Sequence, residues 1–266
     1  MTAAMTGDRQ RQLLQAAVDA ALSASACIRK YFGSADFGLR AKQDGSPVTF
    51  ADQEAEAEIR RHLLAAAETF DILGEEEGLS GTGTRYRWNV DPIDGTRSFV
   101  RGIPLFGSMI ALQDMQDGHA VLGVIHLPIL GVTYSGAKAL GAMRNGAALR
   151  LPDSVELENS IIGIGDVAQF DEAGRRDDYL RLCSLHGYVR AYTDCFGHGL
   201  AISGALGAML EAALNPWDYL ATQAIVEAAG GTMLIRRSKK AGKFDALFGN
   251  RTLVAQLARE LSFVPD

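Results

Sequence analysis

The sequence predicts an α/β protein, and three observations carry that expectation. Helical periodicity dominates the first quarter of the 266 residues, up to about position 65. Short apolar or alternating segments, bounded by turn residues, follow between about 70 and 135. After about residue 150 strand and helix patterns alternate.

The elements follow in order. A helix is expected from about Asp8 to Phe32, because Leu14, Ala17, Ala21, Ile28 and Phe32 recur on one face and Gly33 ends it. Residues 33–48 carry Gly33, Gly38, Gly45 and Pro47 with Arg40 and Lys42 among them, the composition of a loop or a mobile hairpin. A second helix begins near Thr49, where Asp52 three residues on makes a variant capping box. Ala55, Ile59 and Leu63 form its buried stripe, and Glu54, Glu58 and Arg61 face water. The period then changes: Phe70–Leu73 reads as a short strand ending at Gly74, and Tyr86–Val90 as a buried aromatic strand. Segments near 106–115, 119–126 and 130–135 read as antiparallel strands separated by turns such as Asp117-Gly118.

In the second half, Ile161–Gly165 is expected as a strand, Glu172–His186 as a helix and Tyr188–Tyr192 as a strand. Pro216–Ala229 is a helix with Pro in its first turn and Gly230-Gly231 as its stop signal. A strand near Met233 and a helix over Thr252–Leu261 close the chain. The expected organisation is an α+β part over residues 1–150, carrying most of the acidic motifs, and an α/β part over 151–266 that completes the site.

Composition narrows the function classes. Hydrophobic residues make up 47% and charged residues 22%, enough apolar content for a sizeable core. A formal net charge of −6 argues against nucleic-acid binding, which needs clustered Lys and Arg. Cys27, Cys183 and Cys195 form neither a disulfide framework nor a zinc motif, which suits a reducing cytoplasm. Met1–Arg11 has no apolar segment of the signal-peptide kind, and Val121–Val132, broken by His126, Pro128 and Gly131, is too short to span a bilayer.

Chemistry concentrates in four acidic features: Asp52, Gly74-Glu75-Glu76-Glu77, Asp91-Pro92-Ile93-Asp94-Gly95-Thr96 and Trp217-Asp218. Pro92 stiffens the backbone between the two aspartates, so that Asp91 and Asp94 can point at one spot with the Ile93 carbonyl as a neutral ligand. Gly95 permits close backbone approach, and the amides of Gly95 and Thr96 would open a helix over Arg97–Val100, a start that suits phosphate. Hard oxygen ligands without clustered His or Cys favour Mg²⁺ over Zn²⁺. Alone, each motif also fits a plainer role: a turn capped by aspartates, a solvated loop, a helix cap. Asp114, Asp117, Asp153 and Asp166 read as surface or turn residues, and His126, His186 and His198 as structural or surface histidines.

Taken in this order, Gly74-Glu75-Glu76, Trp88 through Thr96, and Asn215-Pro216-Trp217-Asp218 through Glu227-Ala228-Ala229-Gly230-Gly231 resemble the inositol monophosphatase family, and Lys42 with Asp44–Thr49 is similar to its mobile N-terminal segment. The resemblance runs from the first helix to the last. It implies a layered αβαβα sandwich, Mg²⁺ dependence with two or three ions per site, inhibition by lithium and a homodimer. It assigns Glu75, Asp91 and the Ile93 carbonyl to one ion and Asp91, Asp94 and Asp218 to a second. Thr96 with Glu75 would orient water, Gly95 and Thr96 would hold phosphate, and Asp52 would support Thr96. Lys42, Asp44 and Glu76 would serve a third ion or loop closure.

Within the family, Arg97-Ser98-Phe99-Val100-Arg101-Gly102-Ile103-Pro104 and Asp194-Cys195-Phe196-Gly197-His198 are similar to the histidinol-phosphate phosphatases. Asp194 and Glu211 fall at substrate-contacting positions, where acidic groups would pair with a cationic ester. Phe106 and Tyr192-Thr193 depart from the common pattern. The expected activity is Mg²⁺-dependent hydrolysis of a small soluble phosphate ester, histidinol phosphate before inositol 1-phosphate or a sugar phosphate. Nucleotide 3′-phosphatase action is a third option. A non-catalytic metal- or phosphate-binding regulator is the alternative of another class, and the presence of Glu75 and Asp94 argues against it.

Overall fold

Alternation of apolar side chains across two sheets sets the architecture of the computed structural model, which describes residues 5–34, 36–42 and 45–266. The N-terminal helix α1 (Gly7–Tyr31) is capped by Thr6 and buries Leu13, Leu14, Ala17, Ala20, Ala21, Ala24 and Ile28 along one stripe. A two-stranded hairpin, β1 (Arg40–Ala41) and β2 (Pro47–Val48), leads into α2 (Phe50–Ala66). The expected capping box is present: Thr49 accepts from its helix start and Asp52 accepts from the Thr49 amide at 2.8 Å. Glu58 is not fully wet as expected; it accepts from Ser23 and pins α2 to α1.

The first sheet has eight strands: β3 (Asp71–Gly74), β4 (Gly78–Ser80), β5 (Tyr86–Asp94), β6 (Gly107–Asp114), β7 (Ala120–Leu127), β8 (Val132–Ala137), β9 (Gly141–Arg144) and β10 (Ala147–Leu149). Their order is β10-β9-β8-β7-β6-β5-β3-β4, antiparallel except for β3 beside β5. A four-residue helix, α3 (Thr96–Phe99), interrupts the run between β5 and β6. The period of two is exact where it matters: Ile110, Leu112, Leu122 and Val124 point to α1 and α2, and Met109, Ala111, Ile125 and Leu127 to the other face. Asp114, expected as a surface or turn residue, opens the β6–β7 turn and accepts from the Gln116 amide at 3.0 Å, but its side chain is buried in a pair with Arg85 at 2.7 Å.

The second sheet holds β11 (Ile162–Ile164), β12 (Val189–Arg190), β13 (Ala208–Leu214), β14 (Thr232–Arg237) and β15 (Phe244–Gly249) in the order β12-β11-β13-β15-β14. Helices α6 (Asp194–Ile202) and α7 (Pro216–Ala228) lie between the two sheets, sharing a core of Met109, Ile125, Met209, Leu220, Ile225 and Phe248. The outer face of the second sheet is covered by α4 (Val167–Glu172), α5 (Arg176–Leu185) and α8 (Arg251–Glu260), through Phe170, Leu182, Leu253 and Leu257. The result is five layers, αβαβα. Among the described residues no helix is long and apolar enough to cross a membrane.

Several expectations change. The helix expected over Glu172–His186 is present as α5 but starts only at Arg176; a separate helix, α4, precedes it and stops before Gly174, which takes φ +62°. Strands β4, β9, β10, β13 and β15 were not expected. β13 and β15 are nearly continuous apolar runs buried on both faces, so they lack the alternation that marks a half-exposed strand.

One buried ion pair holds the loop after β3. Glu56 on α2 accepts from Arg60 at 2.8 Å and from the amides of Glu76 and Glu77 at 2.8 and 3.1 Å. A Cβ on Gly74 would stand 2.0 Å from Glu56 Oε1. Gly74→Ala is therefore expected to displace the Glu56 carboxylate, lower stability by about 1–3 kcal/mol and misplace the Glu75 loop. Urea unfolding checks the first effect, and an unchanged midpoint contradicts it.

Candidate active site

The site begins with a break in a strand. Pro92 has no amide hydrogen to give to a ladder, and β5 shifts register against β6 between Asp91 and Asp94. Asp91 pairs opposite Met109 and Asp94 opposite Gly107, so Pro92 and Ile93 together face Ser108 alone. The Ser108 hydroxyl donates to the Pro92 carbonyl at 2.7 Å and fixes the bulge. Asp91 Oδ1 accepts from the Ile93 amide at 3.0 Å. Gly95 follows at φ +92°, pressed against Leu105 and Phe106, and α3 starts at Thr96. The Thr96 hydroxyl lies 2.9 Å from the Ile93 carbonyl and 3.3 Å from Asp52 Oδ1, and Asp52 is itself bound by Thr49. The expected Asp52–Thr96 link is thus present.

Glu75 and Glu76 arrive on the loop after β3, which runs parallel to β5. The Glu75 amide donates to the Val90 carbonyl at 3.1 Å, so this loop leaves the sheet beside Asp91. Lys42, from the hairpin, donates to Glu75 at 2.8 Å and to Glu76 at 2.7 Å. Asp44, the hairpin's other expected site residue, lies outside the described residues.

The second sheet supplies the facing wall. Asp218 is in the first turn of α7, where its Oδ2 accepts from the Asn215 amide at 2.7 Å. Glu211 lies on β13 just before that strand's own bulge, where Ala213 takes φ +59°. Asp94, Gln169, Asp194, His198, Glu211, Leu214 and Asp218 line one cavity. Asp94 crosses to this side as well, accepting from the Cys195 amide.

Asp194 is the first residue of α6 and gives the helix no cap. It takes φ +58°, a left-handed conformation that Asp tolerates better than most residues. Its Oδ2 accepts from the Thr193 hydroxyl at 3.0 Å and would stand 3.2 Å from a Cβ on Gly95, so it faces the Asp91–Thr96 turn. His198 is a structural histidine, as expected, but its place is the cavity wall, where it is buried with Nε2 2.9 Å from Glu211. Its position four residues after Asp194 on one helix was the available signal. Gln169 carried none.

Electrostatics dominate this cavity. Burial, then Glu75, Asp94 and Asp218, push Asp91 well above the usual carboxylate range. Burial, then Asp194, Asp218 and Glu211, do the same to Asp94. Burial and Glu75 raise Asp218 to about 7, burial and Glu211 raise Asp194 to about 6, and burial raises Asp52 to about 6. Burial works against charge on Lys42, but Glu75 and Glu76 outweigh it and keep the ammonium protonated far above its ordinary range. As the side chains lie, no group of three or more His, Cys, Asp or Glu among the described residues stands in metal-ligand geometry. The carboxylates turn instead to protein donors: Glu75 to Lys42, Asp94 to Cys195, Asp218 to Asn215. Their chemistry nonetheless suits a hard divalent cation, being all oxygen, crowded and mutually repelling.

Comparison with known proteins agrees with this geometry. Residues 9–262 match the inositol monophosphatase family. The chain is 36% identical over 229 residues to a histidinol-phosphatase from Chlorobaculum parvum, covering 85% of this chain and 87% of the relative. Among solved structures, the extragenic suppressor protein suhB from Bartonella henselae superposes with a TM-score of 0.83 at 26% identity, covering 94% of this chain and 98% of that one. The inositol monophosphatase from Anabaena gives 0.81 at 28% identity, covering 96% and 97%. The chain belongs to the inositol monophosphatase family, phosphatases that act on small phosphate esters through divalent metal ions.

Proposed function

We propose that this chain is a Mg²⁺-dependent phosphomonoesterase whose substrate is histidinol phosphate, released as histidinol and phosphate. The observation that carries the reading is the shared cavity. Asp94 from the first sheet and Asp218 from the first turn of α7 line it together with Asp194 and Glu211, so a cation-binding edge adjoins an acidic wall. Glu75, Asp91 and the Ile93 carbonyl would hold one Mg²⁺, and Asp91, Asp94 and Asp218 a second; Lys42 and Glu76 would serve a weaker third position, a role the family resemblance also gives to Asp44. When bound, these ions supply the positive charge that activates water and offsets charge on the phosphoryl group and the leaving oxygen.

The chain's own residues do the rest. The single Thr96 proton is shared between two acceptors, Asp52 and the Ile93 carbonyl, which leaves the hydroxyl lone pairs free to accept from a water. Thr96 and Glu75 orient that water towards phosphorus, and the Gly95–Thr96 turn receives the phosphate oxygens. Asp194 and Glu211 face the leaving group, where they favour an ammonium or imidazolium over a neutral hydroxyl ring. The 36% identity to a histidinol-phosphatase supports this choice. The likeness to the Anabaena inositol monophosphatase favours inositol 1-phosphate as the second reading. A homodimer in a reducing, cytoplasmic setting belongs to the same proposal, in keeping with free thiols at Cys27, Cys183 and Cys195.

Asp94→Asn keeps shape but removes charge, and is expected to cost at least about 10²–10³-fold in turnover on any ester while the fold persists. Wild-type turnover at saturating Mg²⁺ contradicts the ligand assignment.

Asp194→Asn tests the acidic wall. It is expected to lower kcat/KM for histidinol phosphate by about one to two orders of magnitude, and for glycerol 2-phosphate much less. Equal losses, or no wild-type activity on histidinol phosphate, favour the broader phosphatase reading.

Metal removal has a signed pH dependence. A carboxyl whose folded pKa is raised binds more protons folded than unfolded, so its contribution is present below pH 4 and lost as pH rises towards 6–7 for Asp52, Asp194 and Asp218. In EDTA the melting temperature is expected to fall across that window. Mg²⁺ restores it, most of all near pH 8, and Asp218→Asn flattens the slope. A metal-free melting temperature that rises through the window contradicts the electrostatic account.

A further inference from the structure

His198 is bonded at both ring nitrogens inside the cavity wall, and none of the roles assigned above uses it. Nε2 lies 2.9 Å from Glu211 Oε2 and Nδ1 lies 2.6 Å from the Thr222 hydroxyl. All three residues are buried, and the ring packs edge-on against Phe248 with centroids 4.9 Å apart. Three elements meet here: His198 is on α6, Glu211 on β13 and Thr222 on α7. Thr222 is four residues after Asp218, so one face of α7 carries both the expected metal ligand and the anchor of the imidazole.

We infer that His198 is a positioning and specificity-determining residue, which fixes the Glu211 carboxylate so that its free oxygen completes a subsite for a leaving group rich in N–H donors. The inference deepens the proposed phosphatase reading and rests on it for the choice of substrate, though not for the role of the imidazole. A carboxylate only accepts, so Nε2 carries the hydrogen and donates to Glu211. Nδ1 is then a bare acceptor, and the Thr222 hydroxyl donates to it. This chain of donors leaves Glu211 Oε1 without a donor among the described residues. Oε1 points towards the end of β11, where a Cβ on Gly165 would stand 3.2 Å from it and 3.4 Å from Gln169 Oε1. Gln169 Oε1, Glu211 Oε1 and the Asp194 carboxylate thus present acceptors to one small space beside Asp94 and Asp218. A ligand group with several hydrogens to give satisfies that space, and a ring of ammonium and imidazole character gives charge as well. Without the Nε2–H, Glu211 would lose the one side-chain donor it has among the described residues and turn to another partner, because an unpaired buried carboxylate is costly.

The test pairs substitutions with a spectroscopic readout. His198→Leu is expected to lower kcat/KM for histidinol phosphate about tenfold or more, chiefly through KM, and to change glycerol 2-phosphate by no more than about twofold. Thr222→Val is expected to act in the same direction, and His198→Gln, which keeps an N–H at similar reach, to recover part of the loss. Losses that are equal on both esters mean that His198 only supports the fold and overturn the inference. ¹⁵N NMR of histidine-labelled wild-type protein reads the ring directly, without a substrate or a substitution that must fold. An Nε2–H tautomer with an exchange-protected proton, disturbed in Glu211→Ala, is expected; an Nδ1–H tautomer overturns the inference. Absence of wild-type activity on histidinol phosphate would defeat the substrate reading alone, and the tautomer would then decide the role of His198.

Discussion

Like charges forced together between two sheets are the constraint on which the rest of this structure depends. Asp91 and Asp94 on β5 meet Asp218 on α7, with Asp194 and Glu211 close enough to raise the neighbouring carboxyls further. Such a group is unfavourable unless protons, cations or donors compensate it. The chain meets part of the demand itself, with Lys42 on Glu75, the Cys195 amide on Asp94 and the Asn215 amide on Asp218. The remaining demand is of the kind a divalent ion satisfies. On the proposed reading, affinity for the ion and instability without it have one cause.

Holding the carboxylates against their repulsion requires rigid backbone, and both sheets achieve it by breaking register. β5 bulges at Pro92-Ile93, and β13 bulges between Glu211 and Leu214 with Ala213 in a left-handed conformation. Each bulge re-aims an acidic side chain out of its sheet towards the same cavity. The strain is tied down locally: Ser108 holds the Pro92 carbonyl, and Asp245 accepts from the Ala213 amide at 3.2 Å. Helix α7 then locks the two halves, since its apolar face packs against the first sheet while its first turn delivers Asp218. Supporting networks lie one layer further out, with Glu56 and Arg60 beneath the Glu75 loop and Thr49 beneath Asp52. These buried polar groups are satisfied among the described residues, which makes them stiff supports rather than liabilities.

Much of this was legible in the sequence, and the reasons are local. Helix α2 follows from an apolar stripe and a Thr49–Asp52 capping box, and α7 from Pro216 at its start and Gly230-Gly231 at its end. The pivotal turn is local too: Pro92 removes a ladder donor, and Gly95 alone among neighbouring residues accepts φ +92° without strain. What escaped is equally explicable. β13 and β15 are buried on both faces and show no alternation, while Gly174 inside an otherwise helical pattern marks a stop that periodicity alone passes over.

By itself, then, the sequence determined the α/β class, the acidic motifs and the family resemblance, because capping, turn chemistry and periodicity act over a few residues. Only the tertiary structure decided which acidic residues meet. Asp94 and Asp218 are far apart in the chain and share a cavity because α7 is packed between two sheets. It also decided that Asp194 faces the Asp91–Thr96 turn instead of capping α6, and that His198 braces Glu211. Those outcomes depend on long-range packing and on where buried donors and acceptors can be satisfied, and no local window of sequence contains that information.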